Sequence, residues 1–439
     1  MCGITGVYTP DKKVNEEIVI EMRDILKHRG PDSFGSYFDE DIGLGHRRLK
    51  IIDLTDKGHQ PMFSDDGDIC IVFNGEIYNY IELRKRLIKK GYSFNSSSDT
   101  EVIIKSFQEY GVDCFKQFNG MFAFAIWDSK DRKLFCARDR YGEKPFYYYK
   151  NKSTFIFASE IKSIIHYLNS MNHSKAVNEA RLSDYLINGR MDHTSETLFK
   201  EIHQLPPSHY LIKYKTKLEI RRYYDLNDIK LSVGDSVIQF RDRLEESIKL
   251  RLRSDVPVGA LLSGGIDSSS IVSIVNNLRN KKGHTSKNNF VTFTSSSLDP
   301  QFDESKYARL LSKEVSLPNR EVYPNGNNLI PKLMQIIWHS DEPILGTSIY
   351  AHWHLMERAK KDNITVLLHG QGADEFLFGY DPYYSYYLSD LIKGGEIPKF
   401  SRLVNQLSQK NNISRFSIIR KTFQNFLPDW FNLTMTAKF

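Results

Sequence analysis

Hydrophobic and polar positions along this 439-residue chain follow two different rhythms. Up to about residue 210, short alternating or apolar runs are separated by turn chemistry. The runs at 69–73, 122–127, 134–137, 146–149 and 155–158 predict strands, with Asp65-Asp66-Gly67 as a turn. Helical spacing interrupts them at about 14–27, 81–90 and 99–110. Many strands with few helices suit two stacked sheets covered by helices. Leu205-Pro206-Pro207-Ser208 and a strand pair at 210–214 and 218–224 close this half, and Asp225-Leu226-Asn227-Asp228 reads as a linker. From about 235 the pattern becomes helix 235–251, strand 256–262, helix 267–280, strand 290–295 and helix 304–315. Such alternation predicts a doubly wound parallel sheet. The polar stretch 281–289 reads as a surface loop, and no internal repeat is visible.

Length predicts two or three domains, here 1–228 and 229–439. With 40% hydrophobic residues, the chain can bury substantial cores. The net charge is only +6, and the basic residues after Asp381 (Lys393, Lys399, Arg402, Lys410 and others) are thinly spread. They read as a solvated helical surface, not a nucleic-acid arm. Four cysteines are too few and too scattered for a disulfide framework or a zinc cluster. Cys70 and Cys136 sit in apolar strands and read as core thiols. No secretory signal and no long apolar run is visible, which points to the cytoplasm and no membrane partner.

The chemistry begins at Cys2. Removal of Met1 would put an α-amine and a thiol on one residue. The amine titrates near roughly 7.7–8.0 and the thiol near roughly 8.5, so the first can take the proton of the second. Glycines at Gly3 and Gly6 in the strand around it mark close backbone approach. Ordered blocks follow: His28-Arg29-Gly30-Pro31-Asp32-Ser33, Gly45-His46-Arg47-Arg48-Leu49, Phe73-Asn74-Gly75-Glu76-Ile77-Tyr78-Asn79 and Ser98-Asp99-Thr100-Glu101. Later come Asn119-Gly120-Met121-Phe122, Ala137-Arg138-Asp139-Arg140-Tyr141-Gly142 and Ala158-Ser159-Glu160-Ile161-Lys162.

Together these resemble the N-terminal-nucleophile glutaminase domain of class II glutamine amidotransferases. The resemblance implies an αββα sandwich, Cys2 as nucleophile, and Asn74 with the Gly75 N–H as donors to a developing oxyanion. It implies glutamine bound by Arg48 at its α-carboxylate, and by Asp99 with Glu76 at its α-ammonium. Asn74-Gly75 alone would also read as a turn dipeptide. His28 and His46 read as hydrogen-bonded scaffold, and Arg138-Asp139 as a structural ion pair.

The second half carries Val256 to Ser269, in which an apolar strand, Ser263-Gly264-Gly265-Ile266-Asp267-Ser268, and a helix start follow one another. Such a turn aims N–H groups at an anion, with the helix dipole behind them. Asp267 and the serines would also serve as plain helix caps. No lysine follows the glycines, which excludes a Walker A loop. The pattern resembles the pyrophosphate loop of enzymes that split ATP into AMP and pyrophosphate. His369-Gly370-Gln371-Gly372-Ala373-Asp374-Glu375 is a second strand-end glycine turn.

The ordered pair of domains resembles the glutamine-hydrolysing asparagine synthetases, with an adenine nucleotide α-hydrolase-like second domain. The resemblance implies ATP at Leu262, Ser263, Gly264, Gly265, Asp267, Ser268, Ser269, Ser295, His369 and Gly370. It implies Mg²⁺ at Asp267 and Asp374, a role in adenylation for Gln371, and aspartate activated as β-aspartyl-AMP. A homodimer also fits. Three departures stand out. Gln371 replaces a common Glu; the run Asp341 to Ser348 lacks an arginine found in some relatives; and no Arg-Val-Pro-Phe-Leu-Asp-type segment follows Tyr380. Alternatives therefore stay open. One is amidation of another carboxylate, such as a surface sugar acid; another is a glutaminase without synthetase activity, as in a truncated product.

Overall fold

The computed structural model describes residues 1–10, 12–229, 234–280, 290–297, 299–301 and 303–426. The expected loop at 281–289 lies outside the described residues. In chain order the first part contains β1 (Gly3–Tyr8), α1 (Glu16–Ile25), β2 (Ser33–Asp39), β3 (Ile42–Arg48), β4 (Met62–Phe63) and β5 (Ile69–Ile77). It continues with α2 (Tyr80–Lys89), α3 (Asp99–Tyr110), β6 (Gly120–Asp128), β7 (Lys133–Arg138), β8 (Tyr147–Lys150), β9 (Phe155–Ala158), α4 (Ile161–Ser170) and α5 (Glu179–Asn188). Strands β10 (Ile202–Gln204), β11 (His209–Tyr214) and β12 (Lys217–Arg222) complete it.

These strands form two six-stranded antiparallel sheets, ordered β10-β8-β9-β1-β3-β2 and β12-β11-β7-β6-β5-β4. Strand alternation explains the layering. In β5, Cys70 and Val72 turn toward the core shared by both sheets, whereas Ile71 and Phe73 turn toward α2 and α3. β6 repeats the scheme: Ala123, Ala125 and Trp127 face the inter-sheet core, and Phe122, Phe124 and Ile126 face the helices. On the other side α1 and α4 bury Val19, Met22, Ile161 and Ile164 against Val7, Ile156 and Ala158. The result is the expected αββα sandwich. A Cβ on Gly6 would come within 2.4 Å of the Phe157 ring, so the close approach read there is present.

The chain then forms α6 (Ser236–Arg251), β13 (Val258–Leu261), α7 (Ile266–Asn280), β14 (Thr292–Ser295), α8 (Ser305–Glu314), β15 (Asn319–Val322), α9 (Leu329–Ser340), α10 (Ser348–Lys361) and β16 (Val366–Leu368). Their four-stranded sheet, ordered β15-β14-β13-β16, is parallel throughout. Strands join β13 on both sides, so the winding reverses there and the C-terminal end of β13 is a topological switch point.

Contacts divide the chain into two compact units, Met1–Leu368 and His369–Phe439. Among its described residues the second contains α11 (Ala373–Leu377), α12 (Asp381–Lys393), α13 (Ile397–Asn411) and α14 (Arg415–Gln424), the last three around Leu388, Leu391, Val404 and Leu407. Lys393, Lys399, Arg402 and Lys410 are exposed on these helices, as the solvated-surface reading expects. No helix among the described residues is long and apolar enough to cross a membrane.

Phe124 is fully buried, with its ring centre 5.3 Å from that of Phe115 and 5.4 Å from that of Phe122. Phe124→Ala should cost about 3–5 kcal/mol by urea unfolding; a loss below about 1 kcal/mol would contradict this packing.

Candidate active site

β1 pairs antiparallel with β3, Gly3 lying opposite Arg47. Continued by one residue, this register brings Cys2 to Arg48 and Leu49. The Leu49 N–H donates to Cys2 Sγ at 3.4 Å, and Sγ lies 3.7 Å from the Leu49 carbonyl. Burial pushes the thiol up; the adjacent α-amine, the Leu49 N–H and Arg48 oppose that shift. The α-amine itself, on Met1, is pushed down to about 5, with burial the largest cause, although the Met1 side chain is half exposed.

Cys2, Arg48, Asn74, Gly75, Glu76 and Asp99 all line one cavity enclosing about 500 Å³ of atom-free space, part of it open to solvent. Every residue expected at the first site is thus brought together. Asn74 is fully buried, yet neither its Oδ1 nor its Nδ2 has a hydrogen-bond partner in the structure. Two orphaned polar atoms on one buried side chain are costly, roughly 1–3 kcal/mol each, unless a ligand completes them.

Ladder alternation adds a second donor. N–H groups of successive odd residues in β5 point away from β6. Phe73 donates to Gln60 Oε1 at 2.6 Å and Ile77 to Asp99 Oδ2 at 2.9 Å. The Gly75 N–H lies between these two on the same side. A Cβ at Gly75 would come within 2.1 Å of the Met121 carbonyl, so only glycine fits there.

Arg48 is buried with its guanidinium in a cradle of carbonyls. Nη1 donates to Thr55 at 3.0 Å, and Nη2 to Ile52 at 3.2 Å and to Asp53. Of five N–H donors, this leaves Nε and one Nη1 hydrogen. Nearby, burial raises Asp99 to about 6, and burial followed by repulsion from Asp99 raises Glu76 to about 7. Glu76 Oε1 also lacks a partner.

In the second half, Leu262 extends β13, donating to the Phe293 carbonyl at 2.8 Å and accepting from Thr294 Oγ1 at 2.7 Å. The loop after it turns at Gly264 (φ 92°), where a Cβ would meet Tyr307 Cβ at 2.7 Å. Ser263 Oγ accepts from the Gly265 N–H, and Ser268 Oγ from the Ser263 N–H, each at 3.3 Å. Asp267 and Ser269 stand in the first turn of α7, and Ser295 ends β14. His369, Gly370, Gln371 and Asp374 belong to the second compact unit. There the Gln371 N–H donates to His369 Nδ1 at 3.2 Å, and Asp374 opens α11. Among the described residues no group of three or more His, Cys, Asp or Glu side chains could hold a metal ion.

Residues 1–224 match the family described as Glutamine amidotransferase domain, and residues 239–431 match Asparagine synthase. The chain belongs to the asparagine synthetase family. A Methanocaldococcus jannaschii relative, provisionally named asparagine synthetase (glutamine-hydrolyzing) 2, is 35% identical over 97% of this chain and 84% of its own length. Asparagine synthetase (glutamine-hydrolyzing) 1 of Bacillus subtilis is 36% identical over 87% of this chain, which spans 59% of that protein. Amidase chyE of Penicillium rubens is 34% identical over 89% of this chain and 61% of its own length.

Several residues around the asparagine synthetase family's first site were not singled out by sequence. Arg29 Nε donates to the Cys2 carbonyl at 2.9 Å, and its Nη1 pairs with Glu160 at 2.9 Å. Glu160 also meets His28 and Lys162, and Lys162 continues to Asp341 at 2.9 Å. Arg29 and Glu160 stand inside quoted motifs, but nothing in sequence pairs positions 131 apart. Buried Lys144, against Met1 Sδ at 3.3 Å, carried no signal. The scaffold reading of the histidines holds: His28 bonds Glu160, and His46 bonds the Phe73 carbonyl at 3.0 Å.

One pairing is corrected. Arg138 does not bond Asp139. Its guanidinium serves the carbonyls of Gly142, Lys144 and Leu205 and the Gln204 side chain, while Asp139 accepts N–H groups from Phe122, Tyr141, Glu143 and Lys144. Both side chains are buried where backbone donors and acceptors need them more than they need each other.

An acid whose pKa rises on folding binds its proton more tightly when folded, so its effect on stability becomes unfavourable as pH rises. For Glu76 the window runs from 4.5 to about 7. Glu76→Gln should therefore stabilise the chain above pH 7, by up to about 3 kcal/mol, and not below about pH 4.5. Urea unfolding at both ends of that window checks this; equal stabilities at pH 8 would contradict it.

Proposed function

We propose that this chain hydrolyses glutamine at Cys2 and uses the ammonia, with ATP, to convert aspartate to asparagine through β-aspartyl-AMP. The observation that carries the first half is buried Asn74, its amide unpartnered in the cavity that Cys2 and two buried carboxylates also line. Removal of Met1 leaves the amine on Cys2. That amine, in its neutral form, takes the thiol proton, and Sγ attacks the carboxamide carbon of glutamine. Asn74 Nδ2 and the Gly75 N–H donate to the oxyanion. As the C–N bond breaks, the amine returns its proton and ammonia leaves. Water then hydrolyses the thioester to glutamate. Arg48 offers its two remaining donors to the α-carboxylate, and Asp99 with Glu76 receives the α-ammonium.

Ammonia alone does not displace oxide from a carboxylate, which is why ATP is needed. The acceptor carboxylate attacks the α-phosphorus, pyrophosphate leaves, ammonia attacks the acyl carbon and AMP departs. The Ser263–Ser269 segment, opening a helix after a parallel strand, fits the phosphate-binding part. Leu262 and Ser295 fit the adenine side. Asp267 offers a hard oxygen donor of the kind Mg²⁺ takes, and that ion would offset phosphate charge.

A second reading has its own support. Gln371 stands where a Glu is common in the family, and one relative at 34% identity is named an amidase. The same chemistry would then amidate a different carboxylate. Pyrophosphate release measured across candidate acids separates the two: aspartate alone stimulating it supports the first reading, and another acid alone the second.

Cys2→Ala should abolish glutamine-dependent amide formation and leave ammonia-dependent formation intact. Equal loss with both nitrogen sources would refute separate sites. Asp267→Asn should stop pyrophosphate release and spare glutamine hydrolysis; unchanged release would remove Asp267 from the phosphate site.

A further inference from the structure

The connector between α6 and β13, residues 252–257, belongs by sequence to the nucleotide-loop half. It nevertheless grips one segment that lines the Cys2 cavity and another just beyond β5. Asp255 Oδ2 accepts the Asp53 N–H at 2.8 Å, and the Asp255 N–H donates to the Ile51 carbonyl at 3.0 Å. Ile51 and Ile52 line the cavity. Arg253 meets Glu82 through both terminal nitrogens at 2.6 Å, and its Nη1 donates to the Tyr78 carbonyl at 2.6 Å. Tyr78 follows Asn74, Gly75 and Glu76 out of β5.

Asp53 is the unusual member of this contact. It is a non-glycine residue in the left-handed region, φ 57°. Its carboxylate is occupied by Thr55 and by the Ser97 N–H at 2.8 Å. Its N–H goes to Asp255, and its carbonyl, with that of Ile52, receives Arg48 Nη2. A conformation that costs energy by itself persists only where surrounding bonds hold it. Gly58 closes the other side of the cradle, since a Cβ there would come within 2.1 Å of Arg48 Nη2. The Arg48 guanidinium thus sits in carbonyls whose geometry depends on the turn at 51–53. That turn is tied to the opposite half of the chain through the carboxylate and the N–H of Asp255.

We propose that Asp255 is a positioning residue for the Cys2 pocket: by fixing the 51–53 turn it sets the carbonyl cradle of Arg48 and hence the affinity for the substrate's α-carboxylate. The tie itself stands on geometry, and its effect on glutamine rests on the proposed glutaminase reading. Asp255 touches no reacting atom. Its loss should therefore appear in KM and not in kcat, which simple interface glue would not produce.

The test uses the full chain with Asp255→Leu and Asp255→Asn. Leucine removes the acceptor; asparagine keeps a carbonyl oxygen at the same reach. Asp255→Leu should raise the KM for glutamine about tenfold, the usual size for one lost charge-assisted bond, with kcat nearly unchanged. Asp255→Asn should stay close to wild type. Amide hydrogen exchange at Asp53 should accelerate with leucine and recover with asparagine, a readout that needs no glutamine. Wild-type KM or wild-type exchange in a folded Asp255→Leu chain would overturn the proposal, as would a tenfold KM rise in Asp255→Asn. If the wild-type chain fails to hydrolyse glutamine while exchange responds as expected, the glutaminase reading falls and the tie stands.

Discussion

The antiparallel pairing of Gly3–Tyr8 with Ile42–Arg48 is the constraint on which the rest depends. It carries Cys2 to the end of β3, where the Leu49 backbone meets its sulfur and Arg48 stands beside it. The opposing sheet completes the arrangement. His46 in β3 bonds the Phe73 carbonyl in β5, and the next residues along β5 are Asn74, Gly75 and Glu76. A slip of one residue in either strand would turn its side chains to the opposite face. Ala123 and Ala125 of β6 belong to the core between the sheets, together with Ile4 and Tyr8 of β1.

Electrostatics then distinguishes this cavity from an ordinary crevice. Glu76 and Asp99 are buried as neighbouring carboxylates, and each is raised mainly by desolvation. Among the described residues neither forms a salt bridge with a lysine or arginine, although Asp99 Oδ2 accepts the Ile77 N–H. Natural cores rarely bury carboxylates without a cationic partner. A ligand with an ammonium group and a carboxamide supplies what both the acids and Asn74 lack.

Much of this was legible in sequence, for identifiable reasons. Continuous apolar runs gave away β5, β6 and β9, because both faces of each are buried. The pocket residues were legible as motif blocks, and the structure gathers all six in one place. The β2–β3 hairpin was not read as strand, because buried His46, Arg47 and Arg48 break the apolar pattern. Glu160, Lys162 and Asp341 escaped because their meaning lies in pairing across long separations. Asp255 carries no motif in the sequence, and only three-dimensional proximity connects it to Asp53. Arg138 and Asp139, adjacent in sequence, suggested each other; buried backbone groups claimed both instead.

Covalent trapping tests the central claim most directly. The full chain is treated with a glutamine analogue bearing an electrophilic carbon in place of the amide, and the labelled peptide is mapped by mass. The account predicts a single adduct on Cys2, on molecules that have lost Met1, with free glutamine protecting against it. Labelling of Cys70, Cys114 or Cys136 instead, or an adduct on chains still carrying Met1, would contradict it.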